Sequence, residues 1–346
     1  MDREGAVRRA ELGHRTRPEG LVPADASRVP DPRAHALHGP QGRRPQPGPP
    51  DLRHAHGAEL LVGRALLPRA VPEAGGELLG PERRRGHEGE GLAVTERYAR
   101  LRLFGHADLS KLSGKRVAIV GVGGLGALSA EILARLGVGE LALFDYDRVE
   151  EANLNRLVYR TDQVGEMKVE AIREHLRAAN PDVRVTSYPF DVTDGKGLEA
   201  LLEEIPKDDL VLGCVDSFAV RLFLNAKCVA DRVPFIDGGA SEDGVNGSVQ
   251  VVIAGKTACY RCNRPALKDA SAIRPTRRED GGACHFTSLP TTMAVVSSLQ
   301  CQEALKVLLR FGSVAPFLMY FGLEGRLDRV DWKRDPRCGT CGRRRR

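Results

Sequence analysis

Apolar runs of strand length alternate with segments of helical spacing over residues 97–342. The run at 115–120 ends in glycines and predicts a buried parallel strand. The same criteria predict strands at 141–144, 183–188, 210–214, 235–236 and 247–254, and helices at 125–136, 166–179, 195–204, 217–231 and 291–310. This alternation is typical of a Rossmann-like, doubly wound α/β fold with a mixed sheet.

Residues 1–94 show no such periodicity. They hold 15 Arg and no Lys, Ile or Phe, and 12 of the 21 prolines of the chain. Because this segment cannot bury enough apolar surface to offset its ordering entropy, it is predicted to be a disordered extension. Its composition also matches an unselected GC-rich reading frame. We therefore hypothesise a start codon assigned too early, with the true start near residues 92–95.

The net charge of +6 comes from the two ends of the chain. Residues 1–94 contribute +2 and the basic tail 343–346 contributes +4, so basic and acidic residues balance over 95–342. This balance argues against a nucleic-acid-binding face on the folded region. No run of 18 apolar residues and no export signal is found, so we expect no membrane contact and a cytoplasmic protein with reduced cysteines.

A glycine-rich turn follows the first predicted strand and opens a helix; its glycines are Gly121, Gly123, Gly124 and Gly126. Such a turn lets phosphate approach the helix N-terminus, where amide donors and the helix dipole favour negative charge. Asp145 lies about 20 residues further on, where a carboxylate can hold ribose hydroxyls. Taken alone, this motif favours a nicotinamide or flavin enzyme.

Later residues favour ATP instead. Asn153 and Arg156 follow Asp145, and Lys168 and Asp216 come after them. A nicotinamide site needs no such basic residues or second carboxylate, whereas basic side chains neutralise a triphosphate and Asp216 can hold Mg²⁺.

The chain resembles the ubiquitin-activating-type (ThiF/MoeB/HesA) superfamily over 97–342. The resemblance is carried by several motifs in order: Arg97-Tyr-Ala-Arg100, the glycine turn, Asn153-Leu-Asn-Arg156, Lys168, Asp216 with Arg221, and Ser288-Leu-Pro-Thr-Thr292. Within the superfamily it is most similar to the homodimeric branch that activates the ubiquitin-fold modifier, through Leu143-Phe-Asp-Tyr-Asp147 and Ser288-Leu-Pro-Thr-Thr-Met293.

The resemblance implies an adenylation domain over 95–342 and a homodimer. It places Asn153 in the ATP site, Asp145 on the ribose, Arg156 and Lys168 on the phosphates and Asp216 on Mg²⁺, with Arg100 reaching the ATP site of the opposite protomer. Leu101 stands where the family usually has Gln, and Ser217 where it usually has Asn. The implied partner is a ubiquitin-like or sulfur-carrier protein that ends in Gly-Gly.

Two Cys-x-x-Cys pairs predict a structural Zn²⁺ site, formed by Cys259, Cys262, Cys338 and Cys341. Cys214, Cys228 and Cys301 lie in apolar contexts and are predicted to be buried.

Cys284 differs from the other cysteines because it lies in a long polar segment, 263–289, which we interpret as a crossover and catalytic-cysteine loop. Nearby basic residues such as Arg277 and Arg278 would lower its thiol pKa. In thioester-forming members of the superfamily the nucleophile precedes a Pro-containing helix entry, here at Pro290. Cys284 is therefore the predicted nucleophile, although a register one residue shorter would put His285 in that place.

Three alternatives to adenylation followed by a Cys284 thioester remain. The adenylate could instead serve sulfur transfer to a carrier thiocarboxylate. Outside this chemistry, an NAD-dependent oxidoreductase and a non-catalytic scaffold of the same family also fit parts of the pattern.

Overall fold

The computed structural model describes residues 96–155, 158–262 and 287–342. The predicted disordered extension, most of the crossover loop and the basic tail lie outside the described residues, as does Arg156.

One eight-stranded mixed sheet organises the described part of the chain. Its strands are β1 (Arg116–Val120), β2 (Glu140–Phe144), β3 (Arg184–Tyr188), β4 (Leu210–Gly213), β5 (Phe235–Ala240), β6 (Asn246–Val252), β7 (Phe317–Phe321) and β8 (Arg326–Val330). Their order is β3-β2-β1-β4-β5-β6-β7-β8. The first five strands are mutually parallel, and β6, β7 and β8 continue the sheet in antiparallel pairing.

Five α-helices within the described ranges cover the two faces of the sheet: α1 (Gly124–Leu136), α2 (Lys168–Ala179), α3 (Gly195–Glu204), α4 (Phe218–Asp231) and α5 (Pro290–Leu309). Helices α1, α2 and α5 pack on one face, and α3 and α4 pack on the other. Because the central strands are covered on both sides, they read in the sequence as continuous apolar runs. The predicted Rossmann-like, doubly wound mixed sheet is confirmed.

The antiparallel end of the sheet departs from the predicted elements. The strand predicted at 235–236 extends to Ala240, because Gly238 and Gly239 pair with β6 instead of ending the strand. Strands β7 and β8 were not predicted from the sequence. The apolar residues of β7 come soon after those of α5 in the sequence, so they do not stand out as a separate strand. Strand β8, at the outer edge of the sheet, is half polar and mostly exposed.

Three cysteines predicted to be buried are buried, namely Cys214, Cys228 and Cys301. Desolvation raises the pKa of all three thiols, which keeps them neutral and unreactive. Among the helices of the described ranges, none is both long and apolar enough to cross a bilayer.

Candidate functional site

The strand order creates a crevice at the carboxyl edge of the parallel strands. Strand β1 lies between β2 and β4, and the connection to β2 runs through α1 on one face while α3 precedes β4 on the other. Ligands of open α/β sheets bind at such a switch point. The glycine turn, Asp145 and Asp216 all follow the carboxyl ends of these three strands.

Two glycines of the turn are required by close packing. Gly121 has a φ of 87°, and a Cβ there would lie 2.6 Å from the carbonyl oxygen of Cys214. A Cβ on Gly126 would lie 1.8 Å from the carbonyl oxygen of Gly121. The turn therefore packs directly against Cys214 at the end of β4, two residues before Asp216.

The other two glycines form the entry to α1. A Cβ on Gly123 would meet no atom within 4 Å, so this position faces open space. Gly123 caps α1 without a side-chain hydrogen bond, and Gly124 is the first residue of the helix. The first amides of α1 are thus presented to the crevice without a capping side chain, as phosphate binding requires.

Asp145 fixes the turn from the end of β2. Its carboxylate accepts hydrogen bonds from the amides of Val122 at 2.8 Å and Asp147 at 2.9 Å. Desolvation raises the pKa of Asp145, and the charge of Lys168 opposes that shift. Each carboxylate oxygen has a second lone pair, so the group can still accept hydrogen bonds from ribose hydroxyls.

Lys168 begins α2 and is largely buried, with 9% of its surface exposed. Its Nζ lies 2.7 Å from the Asp147 carboxylate, and its amide donates to the Asp147 carbonyl at 2.9 Å. Because Lys168 also interacts electrostatically with Asp145, the two predicted ATP residues lie near one another.

The chain between β2 and α2 forms a closed excursion. An isolated β-bridge joins Arg148 to Met167 at its base. Asn153 is buried within the excursion, and its side-chain oxygen accepts a hydrogen bond from the amide of Glu150 at 3.1 Å. Asn153 therefore has a local structural contact, in addition to the ATP role that the resemblance implies.

Tyr159 connects the end of this excursion to the glycine turn through a hydrogen bond. Its hydroxyl donates a 2.5 Å hydrogen bond to the carbonyl oxygen of Val122. Val158, immediately before it, has a φ of 89°, a conformation that is strained for a β-branched residue. The strained Val158 and the bonded Tyr159 follow Arg156 by two and three residues in the sequence.

At the end of β4, Asp216 is exposed and Ser217 caps α4 by accepting a hydrogen bond from the amide of Val220 at 3.4 Å. The unusual Ser at this position thus has a helix-capping contact. Arg221, one turn into α4, forms a 2.8 Å ion pair with the buried Asp237 of β5. Arg221 therefore contacts the sheet, although the motif that carries the resemblance pairs it with Asp216.

The four thiols of the two Cys-x-x-Cys pairs lie together on the α3/α4 face. Their sulfurs are all within 4.8 Å of one another, and three of the Sγ–Sγ distances are 3.9 Å (Cys259–Cys262), 3.6 Å (Cys259–Cys338) and 3.3 Å (Cys262–Cys341). Tetrahedral Zn–S bonds of about 2.3 Å place sulfurs about 3.8 Å apart. The cluster could therefore hold Zn²⁺.

Arg100 lies at the opposite edge of the sheet from the glycine turn. It lines a groove of about 380 Å³ with Leu101, Leu103, Phe104, Leu109, Leu136, Gln302 and Leu305. Leu136 is the last residue of α1, so the length of that helix, about 20 Å, separates this groove from the turn. Arg100 is thus remote from the nucleotide crevice of its own chain.

Cys284 and His285 lie outside the described residues. The chain is described again from Thr287, whose amide donates to the Glu242 carbonyl at 3.0 Å in the turn between β5 and β6. That turn follows the carboxyl end of β5. Thr287, near the C-terminal end of the crossover loop, therefore lies at the same edge of the sheet as the glycine turn.

Residues 95–340 match the ThiF family. The chain belongs to this family. Ubiquitin-like modifier-activating enzyme 5 of Oryza sativa subsp. japonica is 39% identical over 258 residues, covering 72% of this chain and 58% of that protein. The protein of the same name from Caenorhabditis elegans is 41% identical over 238 residues, covering 67% and 56%. The chain thus spans less than two thirds of the length of these curated relatives.

Solved structures share the ThiF fold. Escherichia coli MccB, in a crystal structure with MccA-N7isoASN, has a TM-score of 0.59 and 23% identity, covering 72% of this chain and 75% of that one. PaaA has a TM-score of 0.56 and 22% identity, covering 72% and 77%. At this level of identity the likeness establishes the fold.

Two features of this ThiF domain had no signal in the sequence patterns. Tyr159 lies three residues after Arg156, but no motif marks its bond to Val122. Asp237 follows the apolar residues of β5 and is 2% exposed, and Gln300 of α5 donates to the carbonyls of Gly213 at 3.0 Å and Ile236 at 2.9 Å. These buried polar contacts hold the ends of β4 and β5 in place.

Proposed function

We propose that this chain is an ATP-dependent activating enzyme that adenylates the C-terminal glycine of a ubiquitin-like protein and then forms a thioester through Cys284. The observation that carries the proposal is the grouping of the glycine turn, Asp145, Lys168 and Asp216 at one edge of the parallel strands. The similarity to ubiquitin-like modifier-activating enzymes supports the choice of substrate.

In the proposed complex, ATP binds along the carboxyl edge of β1. Asp145 accepts the ribose hydroxyls, and the first amides of α1 with Arg156 and Lys168 bind the phosphates. Lys168 is paired with Asp147 before ATP arrives. It must therefore exchange part of this interaction for contact with phosphate when ATP binds.

Asp216 is the residue proposed to hold Mg²⁺, because its carboxylate is exposed at the end of β4, beside the glycine turn. Carboxylate oxygens are ligands that Mg²⁺ prefers, and a bound Mg²⁺ would neutralise phosphate charge.

The chemistry has two transfers. A glycine carboxylate oxygen attacks the α-phosphorus of ATP, the bond to the β-phosphate oxygen breaks, and pyrophosphate leaves with that electron pair. The Cys284 thiolate then attacks the acyl carbon of the adenylate, and AMP leaves as the thioester forms. The site's basic residues lower the barrier by neutralising two anionic reactants and holding them in line.

We also propose a homodimer in which Arg100 of the partner subunit completes each ATP site. The support is geometric, because Arg100 lies about one helix length from the glycine turn of its own chain. The exposed Leu103 and the apolar groove around it offer a contact surface for a second copy. The four-cysteine cluster would hold Zn²⁺ in a structural role, and the reaction would take place in the cytoplasm.

ATP–pyrophosphate exchange tests this function. The protein is incubated with labelled pyrophosphate, Mg–ATP and each small ubiquitin-like protein encoded with it. Exchange that requires the carrier's terminal glycine is expected, followed by a carrier adduct that reductant removes. Exchange without such an adduct would favour adenylation for thiocarboxylate formation. Lack of exchange with every carrier would refute the enzyme and favour a scaffold, and hydride transfer from a nicotinamide would favour an oxidoreductase.

A further inference from the structure

A buried polar chain connects the four-cysteine cluster to the nucleotide edge of the sheet. Tyr260 lies between the ligand candidates Cys259 and Cys262 and is 4% exposed. Its hydroxyl donates a hydrogen bond to Oδ2 of Asp237. The same carboxylate oxygen accepts a hydrogen bond from Nη1 of Arg221 at 2.8 Å. One aspartate oxygen therefore joins the cysteine knuckle to helix α4.

Arg221 continues the connection to the end of β4. Its Nε and Nη2 donate to the carbonyl oxygen of Val215, at 2.9 and 2.6 Å. Val215 immediately precedes Asp216, the residue proposed to hold Mg²⁺. A guanidinium held by Asp237 on one side thus fixes the backbone next to Asp216 on the other.

The sequence makes room for this arrangement. A Cβ on Gly213 would lie 2.6 Å from Oδ1 of Asp237, and a Cβ on Gly239 would lie 2.7 Å from Nη1 of Arg221. The backbone of Tyr260 is also anchored, because its amide donates to Oδ1 of Asn225 at 3.1 Å. Arg221 and Asn225 are one turn apart on α4, so the same face of the helix contacts both ends of the chain of bonds.

A buried charge pair is costly unless its remaining hydrogen-bonding capacity is satisfied. The Tyr260 hydroxyl supplies Asp237 with a hydrogen-bond donor in addition to Arg221. Without that donor the carboxylate would draw more strongly on Arg221, at the expense of the fork that holds Val215. Loss of the Tyr260 hydroxyl would therefore loosen the backbone next to Asp216, at the other end of this hydrogen-bond network.

We propose that Tyr260 is a positioning residue for the nucleotide site, acting through Asp237 and Arg221 on the segment Val215–Asp216. Through this chain of hydrogen bonds the four-cysteine cluster also fixes the position of the proposed Mg–ATP site, in addition to stabilising the fold. This inference rests on the proposed function, because Mg–ATP is the ligand whose binding it describes.

Tyr260→Phe tests the role, since it removes the hydroxyl and keeps the ring. Direct calorimetric titration of the zinc-loaded protein with Mg–ATP is expected to show binding about 3- to 10-fold weaker than in the wild type, which corresponds to the net contribution of one ordinary hydrogen bond. The KM for ATP should rise by a similar factor with little change in kcat. Zinc content, measured by elemental analysis, should stay unchanged.

Thr257→Val is the matched control. The Thr257 hydroxyl also makes buried hydrogen bonds near the knuckle, donating to the Val251 carbonyl and accepting from the Ile253 amide, both at 2.7 Å. This variant should lower Tm without weakening Mg–ATP binding. If both variants lower Tm and neither changes the affinity, or if both weaken binding equally, Tyr260 has no positioning role.

Arg221→Lys is a second test of the proposal, and it can be used if Tyr260→Phe does not fold. It retains a charge near Asp237 but loses the forked contact to Val215. The two substitutions together should weaken binding by less than the product of their separate effects, because they interrupt one path. Fully multiplicative effects would contradict the connection. Wild-type protein that fails to bind Mg–ATP would overturn the proposed function, whereas equal binding by wild type and Tyr260→Phe would overturn this inference alone.

Discussion

Tyr159 donates a hydrogen bond to the carbonyl oxygen of Val122, inside the glycine turn. The amide of Val122 donates to Asp145, so the N–H and the carbonyl of this one turn residue are both held. We expect Tyr159→Phe to raise the KM for ATP by about threefold to tenfold through a loosened turn, with kcat nearly unchanged. Steady-state exchange kinetics measure this. Tyr320→Phe, on β7, is the control and should leave KM at the wild-type value.

The raised pKa of Asp145 predicts a pH-dependent affinity for ATP. Desolvation disfavours the ionised carboxylate, so its contribution to stability is greatest below the ordinary aspartate pKa and is lost as the pH rises through the raised value. Ribose binding has the opposite dependence, because the ionised form is the better acceptor. The Kd for Mg–ATP should therefore rise on acidification, beginning above the ordinary aspartate pKa. Asp145→Asn should remove this inflection; a profile identical to the wild type would contradict the assignment.

Asp216 and Cys284 should separate the two transfers. Asp216→Ala removes the proposed Mg²⁺ ligand and should reduce pyrophosphate exchange by 100-fold or more, on the order of a lost charge-stabilising group. Cys284→Ala should retain exchange and lose the reductant-sensitive carrier adduct. An adduct that persists in Cys284→Ala would refute the predicted nucleophile, and His285→Ala then tests the shorter register.

Arg100 should act in trans. Arg100→Ala and Asp216→Ala are each expected to be nearly inactive alone, whereas mixed dimers contain one site with an intact Asp216 and an intact Arg100 from the partner subunit. Random mixing of equal amounts should restore about a quarter of wild-type exchange, as two-fold symmetry requires. Arg102→Ala, an exposed neighbour, serves as the control. No recovery on mixing would remove the support for a shared site.

Loss of the metal should lower stability more than it affects the chemistry. Cys338→Ser or chelation should lower Tm by roughly 10 °C, as a loss of about 3 kcal/mol implies for a domain of this size. Below the new Tm, exchange should continue with a higher KM for ATP, because Tyr260 lies between two of the thiols. Purified wild-type protein should contain one zinc per chain, and metal-free protein of unchanged Tm would refute the site.

The parallel half of the fold could be predicted because its strands are buried on both faces and separated by amphipathic helices. The antiparallel end was harder to predict. Gly238 and Gly239 look like a turn in the sequence, yet they pair with β6, where Gly238 packs against Gln300 and Gly239 leaves room for Arg221. Strand β8 lies at the outer edge of the sheet, so its mixture of polar and apolar residues shows little of the alternation typical of a strand.

The candidate site was predictable where local motifs report on backbone geometry. The glycine turn must contain glycine at 121 and 126, and the Cys-x-x-Cys spacing permits the observed cluster. Asp237 gave no such signal, since its partners come from α4 and the cysteine knuckle, 16 and 23 residues away. Contacts of this kind depend on the tertiary fold and have no fixed sequence spacing.

The two cysteine pairs enclose residues 263–337, and β7 returns within that span to pair with β6. The chain after the crossover loop is thus fastened to the body twice, once by sheet hydrogen bonds and once by the thiol cluster. We expect a protein cut once between residues 263 and 286 to stay folded as one particle on size-exclusion chromatography, because both fragments keep these two attachments.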